Sequence, residues 1–262
     1  MTAIADLFRQ PGPKLVPFLT AGYPHKSSTV ELVLAAEAGG AAMVELGMPF
    51  SDPLADGPVI QRSSQAAIAN GVNLPWIFSA VRELRARTAI PIVLMGYINP
   101  ILKMGPNRFL QEAAEAGVNG LIIPDLPPEE DRKFYDDAKE AGLSAIHMVT
   151  PVSAPERITY LGQQAGDLLY AVSHLGVTGT GPDGETALVR YLQKIRQATA
   201  TPFMVGFGIK TTSDIARLAP HADGLVVGSA LLERISAAPD PAAEAERYIR
   251  SLVAAMGAGI HE

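Results

Sequence analysis

Glu45 is the residue whose setting demands an explanation. It lies within Val44–Glu45–Leu46, an apolar run where burial ordinarily excludes a charge. The chain then breaks into a loop held by Pro49, Pro53 and Pro58 with Gly47 and Gly57, and this loop carries Asp52 and Asp56. A carboxylate at the end of a buried strand, with a second on the following loop, can divide acid from base work. The same pattern arises when a buried glutamate pairs with a cation or caps a backbone amide, and the stretch alone leaves both readings open.

Three glycine turns form the second constellation: Gly176–Gly184, Gly206–Gly208 and Gly228–Ser229, the last opening a helix. Glycine lets backbone amides approach phosphate oxygens, and a helix N-terminus adds favourable partial charge. Gly179–Gly184 also spells GxGxxG. It contains Pro182, and no acidic residue follows at about 20 positions, so the dinucleotide reading fails its context. The five histidines show no metal-ligand spacing, and His147, inside an apolar run, reads as a satisfied core residue. No lysine lies within a strand after the first, so an imine-forming aldolase has no evident nucleophile.

The elements that position these residues repeat one unit. Apolar runs at Lys14–Thr20, Met43–Leu46, Ile92–Met95, Gly120–Ile123, Ser144–Val149, Leu168–Val172, Phe203–Val205 and Gly224–Val227 read as strands. Between them helices are predicted at Ser27–Ala38, Val59–Asn70, Leu74–Arg87, Asn107–Ala116, Pro128–Ala141, Ala154–Ala165, Thr186–Thr199 and Thr212–Leu218. Ala3–Arg9 leads and Pro241–Met256 closes the chain. Ser27 or Ser28 is the expected N-cap of its helix. Arg62, Arg82, Glu83, Arg85 and Arg87 are expected on a solvated face. Continuous apolar strands imply a parallel sheet covered on both sides. Eight such units fit a single (β/α)8 TIM barrel over residues 1–262, with a short N-terminal helix and extra helices in the βα loops. A doubly wound open sheet competes with it, and periodicity does not exclude that fold. In a barrel the site lies at the C-terminal strand ends, which carry Glu45, Asp56, Tyr97, Asn99, Asp125, Thr150, Tyr170, Ser173, His174 and Thr178.

Composition narrows the function class. The 262 residues are 48% hydrophobic and 18% charged, which is ample for a large core. A net charge of −6 argues against nucleic acid or an anionic membrane as the main partner. The absence of cysteine excludes disulfides and thiol catalysis. No apolar run approaches the ~18 residues of a membrane span, and the first residues lack a signal or transit composition, so the expected location is the cytoplasm.

The motifs then identify a family. Pro17–Pro24 (PFLTAGYP), Glu45–Pro58 (ELGMPFSDPLADGP), Gly176–Gly179, Gly206–Ile209 and Gly228–Ala230 resemble the tryptophan synthase α subunit, and the likeness runs from end to end. The resemblance implies retro-aldol cleavage of indole-3-glycerol phosphate to indole and glyceraldehyde 3-phosphate, without metal or cofactor on this chain. It matches Glu45 to the family's proton-transferring glutamate, Asp56 to the aspartate that meets the indole N–H, and Tyr170 to a neighbouring active-site tyrosine. Phe18, Met95, Phe207 and Val226 match the indole pocket; Gly179, Gly208, Gly228 and Ser229 match the phosphate site. Thr178 matches a mobile-loop threonine within a glycine-rich lid at Gly176–Glu185. Burial is expected to raise the pKa of Glu45, while Asp56 on a more exposed loop stays ionised. His174 departs from the arginine common in the family before that loop. The resemblance further implies an α2β2 assembly in which indole passes to a β subunit that carries pyridoxal phosphate, with the loop around Asp52, Pro53 and Pro58 as the contact region. A stand-alone lyase, a silent phosphate-binding module and an unrelated sugar-phosphate isomerase are the alternatives.

Overall fold

The apolar runs become strands whose hydrogen bonds all go to parallel neighbours. The computed structural model describes residues 2–54, 56–172, 182–206 and 208–258, the side chains of 182–185 and 258 excepted. Its strands are β1 (Lys14–Thr20), β2 (Val44–Gly47), β3 (Ile92–Met95), β4 (Gly120–Ile122), β5 (Ser144–Ala145), β6 (His147–Val149), β7 (Leu169–Val172), β8 (Phe203–Gly206) and β9 (Gly224–Val227). Their order is β5-β4-β3-β2-β1-β9-β8-β7-β6. The two outermost segments, β5 and β6, are halves of the one strand expected at Ser144–Val149. Its first half pairs with β4, Ile146 still donates to the Leu121 carbonyl at 3.0 Å, and His147 begins the pairing with β7. The sheet therefore closes on itself, as strand tilt in a barrel requires, and the open-sheet alternative is excluded.

The helices are α1 (Ala3–Arg9), α2 (Ser28–Ala38), α3 (Pro58–Ala69), α4 (Leu74–Arg85), α5 (Ile98–Met104), α6 (Pro106–Ala116), α7 (Arg132–Glu140), α8 (Pro155–Ala165), α9 (Pro182–Ala198), α10 (Thr212–Leu218), α11 (Ser229–Ala237) and α12 (Pro241–Ala258). None of the described helices is long and apolar enough to cross a membrane. Helix α1, capped by the Thr2 hydroxyl, covers one mouth of the barrel. Ile4 and Phe8 fill the space where Gly120 and Gly224, the first residues of β4 and β9, lack side chains. Thr2 and Ser144 both donate to Asp167 Oδ2, at 2.7 and 2.6 Å. The N-terminal strand ends are thereby sealed, which leaves the C-terminal ends for a site.

Several local expectations change. Helix α5 adds an element between β3 and α6 for which no helix was placed from the sequence; its Pro100 falls in the first turn, where the missing N–H costs nothing. Helix α7 starts at Arg132 rather than Pro128, where the Asp131 carboxylate accepts from the Phe134 amide. Ser27 occupies the N-cap of α2 without a side-chain bond, and the Thr29 hydroxyl instead accepts from the Gly22 amide at 2.8 Å. Arg85 is not on a solvated face. Its half-buried guanidinium donates to the Gly117 and Ile90 carbonyls and to Asn119 Oδ1 at 2.8–2.9 Å, tying α4 to the segment that enters β4. His147 is buried edge-on against Tyr135 at 4.7 Å, as a core histidine should be, yet its Nε2 has no hydrogen-bond partner among the described residues.

Candidate active site

Strand register decides which side chains share the barrel interior, because partners in register point to the same face. Glu45 stands opposite Phe18, and Gly47 opposite Met95. Val226 stands opposite Val16, two residues before Phe18 on the same face. Tyr170 stands opposite Met204, which in turn pairs with Gly224, two residues before Val226. Phe18, Glu45, Met95, Tyr170 and Val226 thus project from one continuous surface, and all are buried.

Close packing there depends on missing side chains. The Phe18 ring lies over Gly47, at whose position a Cβ would sit 2.5 Å from the ring. The Tyr170 hydroxyl lies over Gly206, where any Cβ would collide with it. Phe18, Gly47, Met48, Asp56, Met95 and Tyr97 line one cleft.

Glu45 is fully enclosed, and neither carboxyl oxygen has a hydrogen-bond partner among the described residues. Burial pushes its pKa up to about 8, and the nearby Asp56 charge adds to the effect. It is therefore mainly protonated at neutral pH. Asp56, on the loop after β2, is only partly buried. Burial raises it to about 6, against the hydrogen bond from Tyr97, which lowers it. The expected order of the two carboxyls holds, although Asp56 sits closer to neutrality than an exposed loop would leave it. The Tyr170 phenol is held well above its usual range by burial, then by the charges of Glu45 and Asp56, and stays neutral.

The glycine corner is partly described. Gly208 has φ +88°, a backbone that favours glycine, with open space where a Cβ would be. Gly228 precedes α11, which begins at Ser229 directly after β9. The first amides of that helix therefore stand at the C-terminal mouth, where an anion gains from the helix dipole. His174, Thr178, Gly179 and Phe207 lie outside the described residues, as does 176–181 of the expected lid; 182–185 begin α9.

Some strand-end residues serve the frame instead. Asp125 accepts from the Ile98 amide at 3.0 Å, and Thr150 bonds to Ser153. Two groups to which the sequence assigned no role contact Asp56. The Tyr97 hydroxyl reaches Asp56, and Gln61 donates to the Asp56 carbonyl at 2.9 Å. Tyr97 was legible only as one of several polar strand ends.

Comparison with known proteins accords with this geometry. A family model described as tryptophan synthase alpha chain matches residues 4–260. The tryptophan synthase alpha chain of Chloroflexus aurantiacus is 45% identical over 245 residues, 92% of each chain. The solved tryptophan synthase subunit alpha of Legionella pneumophila superposes with a TM-score of 0.90 at 35% identity, over 98% of this chain and 99% of that one. A chain from the tryptophan synthase a2b2 complex of Pyrococcus furiosus gives 0.85 at 34% identity, over 93% of this chain and 98% of that one. A full-length sequence match, a superposable barrel and the inward glutamate together mean that the chain belongs to the tryptophan synthase alpha chain family, lyases that cleave indole-3-glycerol phosphate.

Proposed function

We propose that the chain performs its family's retro-aldol reaction with Glu45 as the proton-transfer group and Asp56 as the charge partner. The observation that carries this reading is a fully buried Glu45 whose oxygens have no hydrogen-bond partner among the described residues and whose pKa is pushed up to about 8, near a more acidic Asp56. Glu45 gives its proton to C3 of the indole ring. The ring becomes a cationic electron sink, and Asp56, accepting from the indole N–H, stabilises that charge. The bond from C3 to the glycerol side chain then breaks, and its electrons restore the aromatic ring. The adjacent hydroxyl becomes the aldehyde of glyceraldehyde 3-phosphate and returns its proton to Glu45. The ring supplies the sink, so these steps need no imine and no cofactor on this chain.

Tyr170 closes the cavity beside Glu45. Phe18, Met95 and Val226, with Phe207, take the indole by burying its apolar faces. Gly208, Gly228 and Ser229, with Gly179 and the start of α11, take the phosphate. The chain acts as one domain over residues 1–262, in the cytoplasm. Indole passes to a β subunit that carries the pyridoxal phosphate, in an α2β2 assembly. Support for that docking comes from the loop of Asp52, Pro53 and Pro58, whose Leu54 is 95% exposed at the C-terminal face. Leu102 on α5, also exposed, extends the apolar surface of that face.

The test is indole release from indole-3-glycerol phosphate by the purified chain, with and without a tryptophan synthase β subunit. Slow release that rises with β supports the whole reading. Fast release without β favours a stand-alone lyase, and no release under either condition overturns the assignment of the site.

A further inference from the structure

Asp56 stands on a loop, and a loop carboxylate meets a ligand at a fixed place only if something holds it. Two bonds reach its backbone: the Asp56 amide donates to the Pro53 carbonyl at 3.1 Å, and Gln61 donates to the Asp56 carbonyl. Neither touches the carboxylate. Tyr97 does, through its hydroxyl.

Tyr97, unlike Asp56, is built into the barrel wall. On one side the Gly96 amide donates to the Ile122 carbonyl at 3.1 Å; on the other the Ile98 amide donates to Asp125 Oδ1. The ring is buried and packs on Phe50 with centroids 5.4 Å apart. Its hydroxyl is therefore a fixed point from which a loop group can be held.

We propose that Tyr97 is the positioning residue for Asp56, its hydroxyl fastening the loop carboxylate to the barrel wall and favouring its ionised form. This rests on the role proposed above for Asp56. A hydroxyl donor stabilises a carboxylate more than a neutral acid, whereas burial acts in the opposite sense. Among the described residues, the other titratable groups facing Asp56 are Glu45 on β2 and Tyr170 on β7. Both are neutral while Asp56 titrates, so neither helps to ionise it. Asp125 enters through its bond to the Ile98 amide. Tyr97 thus couples where the carboxylate points to the pH at which it works.

The variant Tyr97→Phe keeps the ring on Phe50 and removes only the donor. Its kcat is expected to fall about tenfold or more with little change in KM, the usual size for losing one hydrogen bond to a charged acceptor. The acid limb of its pH profile should move to higher pH. The carboxyl carbon of Asp56, followed by 13C NMR and assigned with Asp56→Asn, should titrate at higher pH in the same variant. Placing 2,3-difluorotyrosine at position 97, a stronger donor, should move that titration to lower pH, which a purely structural role would not do. An Asp56 titration that is the same in wild type, Tyr97→Phe and the fluorinated protein overturns the proposal. The titration needs no turnover. Failure of the wild type to release indole would therefore count against the proposed function, while an unmoved titration counts against Tyr97 alone.

Discussion

A carboxyl group that must give a proton at neutral pH needs surroundings that deny it charge, and the partner that must keep its charge needs the reverse. Among the described residues neither oxygen of Glu45 has a hydrogen-bond partner to stabilise its anion, and Asp56 has Tyr97. Cleavage should therefore follow a bell-shaped pH profile. Its acid limb lies near 6, where Asp56 gains a proton, and its alkaline limb near 8, where Glu45 loses one. The limbs belong to the interacting pair, so Asp56→Asn should displace the alkaline limb downward, its repelling charge being gone. Glu45→Gln should lower kcat by roughly a thousandfold and leave binding of indole-3-glycerol phosphate by calorimetry nearly unchanged. Wild-type turnover in that variant would end the role assigned to Glu45. Glu45 was legible in the sequence, because a glutamate in an apolar strand is chemically out of place, and Asp56 was legible only as a polar residue beyond a strand end. The Tyr97 contact was not, since nothing along the chain links the ends of β2 and β3.

At the scale of elements, the arginine on α4 shows how a charge that reads as solvated can be structural. Arg85 donates to the Gly117, Thr88 and Ile90 carbonyls and to Asn119, whose Oδ1 also accepts from the Ile92 amide at 2.8 Å, so one guanidinium organises the entry to both β3 and β4. Arg85→Met keeps most of the packing volume and strands these acceptors. It should cost about 2–3 kcal/mol in urea unfolding, because buried unpaired polar groups carry their full desolvation penalty. The neighbouring Arg87, paired with Glu31 at the surface, should cost far less than Arg85 when changed to Met, because solvent screens an exposed pair. Equal effects from the two would remove the distinction. Sequence pattern located nearly every strand and helix here, but helix α5 and the late start of α7 were set by a proline in a tolerated position and by the Asp131 cap.

For the molecule as a whole, burial lowers the pKa of His147 and raises those of Glu45 and Asp56, and these shifts act on stability in opposite directions as pH changes. His147 is lowered from 6.5 to about 4 by burial and then by the Lys139 charge. As pH falls, the unfolded chain takes up this proton first, so the His147 contribution, about 3 kcal/mol in full, is lost between about 6.5 and about 4, against the contributions that Glu45 and Asp56 gain over the same range. Glu45 is raised from 4.5 to about 8, so the unfolded chain ionises first as pH rises. Its contribution is complete below about 4.5 and is lost progressively up to about 8. Urea unfolding across this range should show His147→Gln steepening the fall of stability with rising pH between about 4.5 and about 6.5, because the opposing contribution is gone. Glu45→Gln should flatten the alkaline side and be the more stable protein at neutral pH, the cost the wild type bears for an activated carboxyl. A wild-type stability unchanged from about pH 5 to about pH 8 would contradict the burial of Glu45.

The sequence by itself determined the alternation of strand and helix, the apolar character of each strand, the glycine turns and the out-of-place Glu45, because period, turn chemistry and burial preference act locally. Only the tertiary structure decided that the sheet closes through a strand divided at Ile146, that α1 seals the N-terminal mouth, and that Tyr170 lies over Gly206 and Tyr97 against Asp56. Those outcomes depend on strand register and closure around the barrel. Register is a relation between segments distant in the chain, and no single segment carries it.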